Sequence, residues 1–129
     1  MASIFTKIIN GDIPCYKVGE NESCLAFLDI QPVTKGHVLV VPKKEIDYIF
    51  DFEDEMLAKL MAFAKEIAHK IKKIIPCNRV GVTVIGLEVP HAHIHLMPIN
   101  GLHDMDFTKP KLQISNEELA SLAEQLRNA

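Results

Sequence analysis

The sequence predicts an α+β fold with a mainly antiparallel sheet. Four apolar runs have the length of strands, and turn residues such as glycine and proline bound them. A long amphipathic segment lies between the second and third runs, and a capped helix follows the last one. Strands joined by turns, with one long helix inserted and another appended, are typical of the α+β class.

Composition limits both the size of the fold and the classes of function. The chain has 129 residues, of which 48% are hydrophobic and 24% charged, so we expect one domain over residues 1–129. The formal net charge of −3 gives no positive field for a nucleic-acid polymer. No signal peptide or membrane-spanning run is visible, so we expect a cytoplasmic protein without membrane contact. Three widely spaced cysteines suit reduced thiols better than disulfides.

The first predicted element is a short helix near the N-terminus. Ile4, Phe5 and Ile8 recur at the spacing that gives a helical turn one apolar face. Asn10 and Gly11 follow directly, and both are residues that commonly end a helix. We therefore expect a short helical segment with one apolar face.

Two strands are predicted next, and each carries a polar residue near one end. Residues 24–30 form an apolar run interrupted by Asp29 and closed by a turn signal, which leaves a carboxylate near the end of a strand. Residues 36–42 are rich in β-branched side chains and end at a proline, so they indicate a buried strand with His37 near its beginning.

The second half of the chain predicts a long helix, two strands and a terminal helix. Apolar residues recur every three or four positions over residues 54–75, and Pro76 ends this amphipathic helix. Residues 80–85 and 91–98 are the third and fourth strands. Ser115, with a glutamate three residues later, has the pattern of a capping box and begins the last helix.

The fourth strand contains three alternating histidines, His91, His93 and His95. Side chains alternate across a strand, so the three imidazoles are expected on one face and the intervening apolar residues on the other. Neighbouring positive charges lower one another's pKa, so at least one ring is expected to be neutral near pH 7. A neutral imidazole is a nucleophile, and adjacent rings can donate hydrogen bonds to phosphate oxygens.

Closely spaced histidines on a strand can also bind zinc. The chain has no Cys-x-x-Cys and no His-Glu-x-x-His, and only His37, His103 or Asp29 are available to complete such a site. We therefore predict no metal, and a zinc hydrolase is kept as an alternative. His69 and His103 are expected to be ordinary exposed side chains.

The histidine segment resembles the defining motif of the histidine-triad (HIT) nucleotide-binding family. Residues 91–97, His-Ala-His-Ile-His-Leu-Met, follow its order of histidines and apolar residues. Residues 4–14, 25–30 and 35–44 resemble, in the same order, the branch of small purine-nucleoside phosphoramidases. The resemblance covers most of positions 3–98, the expected nucleotide-binding core, and leaves a C-terminal tail and helix over 99–129.

The resemblance implies a five-stranded, mainly antiparallel sheet with one long helix and short terminal helices, extended across a homodimer. It implies hydrolysis at the α-phosphorus of a purine nucleotide conjugate, with AMP or GMP as the product and no cofactor. His93 would attack phosphorus and form a nucleotidyl-histidine, while His91 and His95 orient and stabilise and His37 is the fourth active-site histidine. By the same resemblance Asp29 would receive the ribose hydroxyls. The positions that match the base pocket are Ile4, Phe5, Ile8, Phe27 and Ile30.

Three positions depart from the family's pattern near the triad. Thr83 stands where the family often has asparagine on the preceding strand, and it can replace only part of that contact. Leu87 and Glu88 stand where close relatives have glutamine and serine or threonine, which usually touch phosphate. A glutamate there would repel phosphate, so either Glu88 points away or the substrate differs, for example by having a cationic amine as leaving group.

Two further functions remain open from the sequence. Other branches of the same family cleave dinucleoside polyphosphates such as Ap4A, and relative rates on the two substrate types would separate these activities. A nucleotide-binding scaffold with incidental hydrolysis is the third possibility. Trapping a covalent nucleotidyl adduct on His93 would distinguish the enzyme from the scaffold.

Overall fold

The structure, a computed structural model, describes residues 2–129 and contains a five-stranded sheet with helices against both faces. The strands lie in the order β1-β2-β3-β5-β4, and every neighbouring pair is antiparallel. The predicted α+β class and the antiparallel sheet are thus confirmed. In chain order the elements are α1 (Ile4–Ile9), β1 (Lys17–Glu20), β2 (Cys24–Leu28), β3 (Val38–Pro42), α2 (Asp54–Ile74), β4 (Arg79–Thr83), β5 (Ile94–Ile99) and α3 (Asn116–Arg127).

One face of the sheet carries the larger apolar core. The long helix α2 and the terminal helix α3 pack there, because each has an apolar stripe along one side. The buried residues that meet on this face include Ala26, Val40, Ile94, Ile67 and Leu122. Alternation along β5 directs Ile94 and Leu96 into this core and leaves the opposite face to the histidines.

The opposite face carries a smaller apolar cluster, which supports the histidine segment. Phe5 from α1 packs there with Phe27 and Leu39 from the middle of the sheet. Leu39 pairs with His95 across β3 and β5, so the cluster and the triad occupy the same face. The short helix α1 therefore lies beside the triad.

The helix boundaries follow local signals in the sequence. Ser3 accepts a hydrogen bond from the Thr6 N–H at the start of α1, and Ser115 accepts one from the Glu118 N–H at the start of α3. The helix α2 ends just before Pro76, as predicted. Within residues 2–129, no helix has the length and apolarity needed to cross a membrane.

The strands β2, β3 and β4 end or begin one or two residues from their predicted bounds, and the larger differences from the prediction are at β1 and β5. Strand β1 is not predicted by any pattern, because it spans four residues with exposed ends and a bulge between Lys17 and Gly19. Strand β5 begins at Ile94, whereas the sequence predicts a strand from His91. Pro42, at the end of β3, has no N–H with which to extend the ladder, and Ala92 donates its N–H to the Ile46 carbonyl instead.

Candidate active site

A cavity of about 380 Å³ lies on the triad side of the sheet, where the ends of several elements meet. Its volume lies within the range of small-molecule sites. Asp29 reaches it from just after β2, and His37 from just before β3. His93 reaches it from just before β5, and His95 from the beginning of that strand. The other described residues that line it are Gln31, Val33, Ile85, Gly86, Leu87, Glu88, Phe107 and Lys111.

The three triad histidines are all buried, and they differ in what their rings contact. His93 and His95 line the cavity, with ring centroids 4.8 Å apart. His91 does not line it, and both of its ring nitrogens contact protein groups. Its Nδ1 lies 2.7 Å from the Ser3 hydroxyl and its Nε2 lies 2.8 Å from the Pro42 carbonyl oxygen.

The contacts of His93 define its tautomer. Its Nδ1 lies 2.8 Å from the carbonyl oxygen of His91, and a carbonyl only accepts hydrogen bonds, so Nδ1 carries the proton. Burial lowers the pKa of His93 and favours the uncharged ring. The Phe5 ring packs edge-on against it, with centroids 4.9 Å apart. A neutral His93 protonated at Nδ1 has an unshared electron pair at Nε2.

A second chain of hydrogen bonds fixes His37 and His95. The Val33 N–H donates to His37 Nδ1 at 3.1 Å, so in the neutral ring the proton resides on His37 Nε2. That Nε2 lies 2.9 Å from His95 Nδ1, which therefore accepts. The proton of a neutral His95 is consequently on Nε2. His93 thus presents a hydrogen-bond acceptor to the cavity, and His95 presents a donor.

Burial and neighbouring positive charge keep this pair of histidines uncharged. Desolvation, with the rings of His95 and His93 and the charge of Lys111, lowers the pKa of His37 to about 3. Desolvation, with the ring of His93 and the charge of Lys111, lowers the pKa of His95 to about 4. The His37 Nε2 also lies 3.8 Å from a carboxylate oxygen of Asp29, but a neutral imidazole makes this a polar contact and no ion pair.

Asp29 presents a carboxylate at the edge of the same cavity. One of its oxygens accepts the Gln31 N–H at 2.9 Å, which fixes the side chain directly after the strand. Burial raises the pKa of Asp29, while the Gln31 N–H and Lys111 act in the opposite direction. Asp29 directly follows β2, as the sequence predicts for a carboxylate near a strand end, and it lies next to His37 at the cavity.

Two residues of the C-terminal tail reach the cavity, and the sequence gives no sign of them. The Phe107 ring packs edge-on against His95, with centroids 4.9 Å apart, and also lies against His37. The Lys111 ammonium lies over the Phe107 ring, 5.3 Å from its centroid, and Lys111 lines the cavity. Both lie in an irregular segment before α3 that has no periodic pattern, so only their side-chain chemistry could have drawn attention to them.

Glu88 lines the cavity, so it does not point away from the site as one sequence-based alternative proposed. Its charge raises the pKa of His93, against the larger effect of burial. The cavity therefore has a carboxylate from Glu88 and an ammonium from Lys111 among its lining groups. Thr83 pairs with His95 across β4 and β5 and does not line the cavity.

The residues expected to form a base pocket are split between core and surface. Phe5 and Phe27 are buried in the smaller apolar cluster, with ring centroids 5.7 Å apart, and Ile8 packs against that cluster. Ile4 and Ile30 are exposed. Because none of the five lines the cavity, their contact with a nucleobase stays a prediction.

One group of potential metal ligands is present among residues 2–129. Ligand atoms of Asp29, His37 and His95 all lie within 4.8 Å of one another. A metal held by all three would compete with the His37–His95 hydrogen bond, which already occupies one nitrogen of each ring. His69 and His103 are exposed, as predicted.

A model of the HIT domain matches residues 10–102, which include every histidine of the site. The chain belongs to the HIT family. This HIT chain is 36% identical over 131 residues to adenosine 5'-monophosphoramidase hnt1 of Schizosaccharomyces pombe, with 98% of the chain and 96% of that protein covered.

Solved structures of HIT proteins have the same architecture. A Hit-like protein from Bartonella henselae superposes with a TM-score of 0.84 at 28% identity, over 98% of this HIT chain and 94% of that one. A zinc-bound histidine triad family protein from Mycobacterium smegmatis gives a TM-score of 0.83 at 25% identity, over 99% and 92% of the two chains. The predicted HIT-like fold is thus confirmed.

Proposed function

We propose that the chain is a hydrolase that releases a nucleoside monophosphate from purine nucleoside phosphoramidates or related nucleotide conjugates. The observation that carries the proposal is the pairing of two neutral rings on one cavity, His93 with an unshared pair and His95 with an N–H. The similarity to the phosphoramidase of S. pombe supports this substrate class.

The proposed reaction has two displacements at the α-phosphorus. His93 Nε2 attacks phosphorus, and the P–N bond breaks with its electron pair leaving on the amine, which takes a proton from water. The Nδ1–H of the resulting cationic adduct stays hydrogen-bonded to the His91 carbonyl, a fixed dipole that stabilises the positive ring. Water then attacks phosphorus and loses its proton to the hydroxide left by the first step, the P–Nε2 pair returns to His93, and the nucleoside monophosphate is released.

The other site residues have binding and stabilising roles in this proposal. His95 Nε2–H donates to a phosphate oxygen as negative charge develops, and His37 holds His95 in the required tautomer. Asp29 accepts hydrogen bonds from the ribose hydroxyls, since a carboxylate offers two acceptors to a vicinal diol. The apolar residues Ile4, Phe5, Ile8, Phe27 and Ile30 contact the base. Thr83 supports the triad strand, and no cofactor takes part.

The principal test is replacement of His93 by glycine. Turnover should fall below about a tenth of wild type while AMP binding by calorimetry is retained, because binding also draws on Asp29 and the apolar residues. His69→Gln, an exposed histidine on α2, serves as the matched control. Mass spectrometry of rapidly quenched wild type should show a nucleotidyl adduct on His93. Full turnover by His93→Gly would remove the nucleophilic role.

Glu88 provides a test of the leaving group. A carboxylate on the cavity favours a substrate whose amine is cationic, such as a lysyl phosphoramidate, over one with a neutral amine. Wild type should prefer the lysyl compound, and Glu88→Gln should lose this preference. An unchanged ratio of kcat/KM would refute the role of Glu88, and faster cleavage of Ap4A than of either compound would favour the dinucleoside polyphosphate activity.

We also propose that the chain forms a homodimer through strand β4. This strand is an edge of the sheet in residues 2–129, and Val82 on it is half exposed. Phe50 and Met61 are exposed beside it, on an apolar groove between the sheet and α2. Pairing of two such edges would cover these side chains. Sedimentation should give a dimer for wild type and a monomer for Val82→Lys; a monomeric wild type would refute the proposal.

Two predictions from the sequence also enter the proposal. Residues 1–129 would act as one domain, and the protein would work in the cytoplasm with a purine nucleotide as its small-molecule partner. Fractionation of cells that express the chain, with assay of phosphoramidase activity in each fraction, tests the location.

A further inference from the structure

A cluster of polar side chains contacts His91, and none of its members lines the cavity. Ser3 caps α1, Thr6 lies in the first turn of that helix, and Glu45 follows β3. The Ser3 N–H donates to Glu45 Oε1 at 2.6 Å, and the Thr6 hydroxyl donates to the same oxygen at 2.6 Å. The Ser3 hydroxyl lies 2.7 Å from His91 Nδ1. Four residues from three parts of the chain therefore form one connected network.

The directions of these hydrogen bonds follow from the chemistry of each group. His91 Nε2 faces the Pro42 carbonyl, an acceptor, so Nε2 carries a proton and Nδ1 of the neutral ring accepts. The Ser3 hydroxyl supplies that proton, and its oxygen accepts the Thr6 N–H at 3.0 Å. The Thr6 hydroxyl is committed to Glu45. Hydrogen bonds from Thr6 and Ser3 lower the pKa of Glu45 to about 2, so it is an ionised acceptor at neutral pH.

The network reaches the reactive ring through the main chain of His91. The ring of His91 is held at both nitrogens, and its main-chain N–H donates to the Val89 carbonyl at 2.8 Å. Its carbonyl is therefore fixed in space, and this carbonyl accepts the Nδ1–H of His93. The direction of that carbonyl sets both the tautomer and the orientation of the His93 ring.

We infer that Glu45, acting through Ser3 and Thr6, is a positioning residue that holds His91 so that its carbonyl keeps the His93 Nε2 unprotonated and directed at the substrate. The inference rests on the proposed nucleophilic role of His93. Glu45 is itself outside the cavity and touches no reacting atom. Its effect is expected on the chemical step more than on nucleotide binding, because the hydrogen bonds of the network lead to His91 and involve neither Asp29 nor the apolar side chains of α1.

The test compares variants of the network with one matched control, all in the full chain. Glu45→Ala and Ser3→Ala should each lower kcat about tenfold, because a small misorientation of the attacking atom is costly, with KM changed less than about twofold. Glu45→Gln retains an Oε1 acceptor and should recover most of kcat. Ser115→Ala removes the equivalent N-cap from α3, far from the triad in the chain, and should leave kcat unchanged.

A spectroscopic measurement separates positioning from a loss of stability. The ¹⁵N shifts of the His93 ring should show a proton on Nδ1 in the wild type and in Glu45→Gln, and a mixture of tautomers in Glu45→Ala and Ser3→Ala. Wild-type kcat and a single tautomer in both alanine variants would overturn the inference, as would an equal loss of kcat in Ser115→Ala. A wild type without phosphoramidase activity would remove the proposed function, while the ring shifts would still decide whether the network fixes His93.

Discussion

Acidification should destabilise the folded chain through its buried histidine pair. Burial lowers the pKa of His37 to about 3 and that of His95 to about 4, from 6.5 in an unperturbed side chain. At pH values between the folded-state pKa values and 6.5, the two side chains bind protons in the unfolded chain and not in the folded chain. The stabilisation is thus present above about pH 6.5 and is lost progressively as the pH falls towards the folded-state pKa values.

The expected size of the effect follows from the same values. A histidine with a pKa of 6.5 gains about 2 kcal/mol from protonation between pH 7 and pH 5, and the folded ring gains almost nothing over this interval. His37 and His95 together therefore remove about 4 kcal/mol from the free energy of unfolding. That is a large part of the roughly 5–15 kcal/mol by which natural domains are stable.

Urea unfolding at pH 7 and pH 5 measures this loss, and His95→Asn isolates one of the two rings. The variant should lose about 2 kcal/mol less than wild type over the interval, because asparagine does not titrate. Carboxylates such as Asp29 are present in both proteins and largely cancel in this difference. His69→Gln, on an exposed face of α2, should behave as wild type. An equal loss in wild type and His95→Asn would refute the reasoning.

Three further variants test other parts of the structure. Gly36→Ala should cost about 1–3 kcal/mol in urea unfolding, because residue 36 has a φ of +92° and the added Cβ would overlap Ile75; unchanged stability would contradict this reading. Ile71→Ala, at a fully buried position of α2, should cost about 2–5 kcal/mol and leave KM unchanged. Lys111→Met should raise KM about threefold to tenfold at low salt, and less at high salt, if its ammonium attracts the phosphate. If KM changes neither with this substitution nor with the salt concentration, that attraction is excluded.

The elements that the sequence predicts well are those whose pattern repeats. The apolar stripe over residues 54–75 predicts α2 to within one residue, and Ser115 correctly begins α3. Alternation correctly directs Ile94 and Leu96 into the larger core and His95 to the opposite face, and Phe5 packs against both His91 and His93 although the ladder begins only at Ile94. Periodicity indicates which side of a segment is buried. It does not indicate where hydrogen bonding to the neighbouring strand ends.

The parts that the sequence does not predict depend on contacts between distant segments. Phe107 and Lys111 reach the cavity from an irregular tail, and no local pattern records this approach. Nothing in the sequence distinguishes Glu45 from other charged surface residues. The fold places it within hydrogen-bond distance of Ser3 and Thr6. The contact between Ser3 and Glu45 joins residues 42 positions apart, so it becomes visible only when the fold places the two segments together.

The separation of the two apolar clusters by the sheet has a consequence for the evolution of this chain. The larger cluster, with α2 and α3, contains most of the buried apolar residues, and none of its members lines the cavity. Substitutions at Leu87, Glu88 or Lys111 therefore leave that core intact, and selection can change which compounds are accepted at little cost to folding. Closely similar architectures with divergent sequences around the cavity are the expected outcome among descendants of such an ancestor.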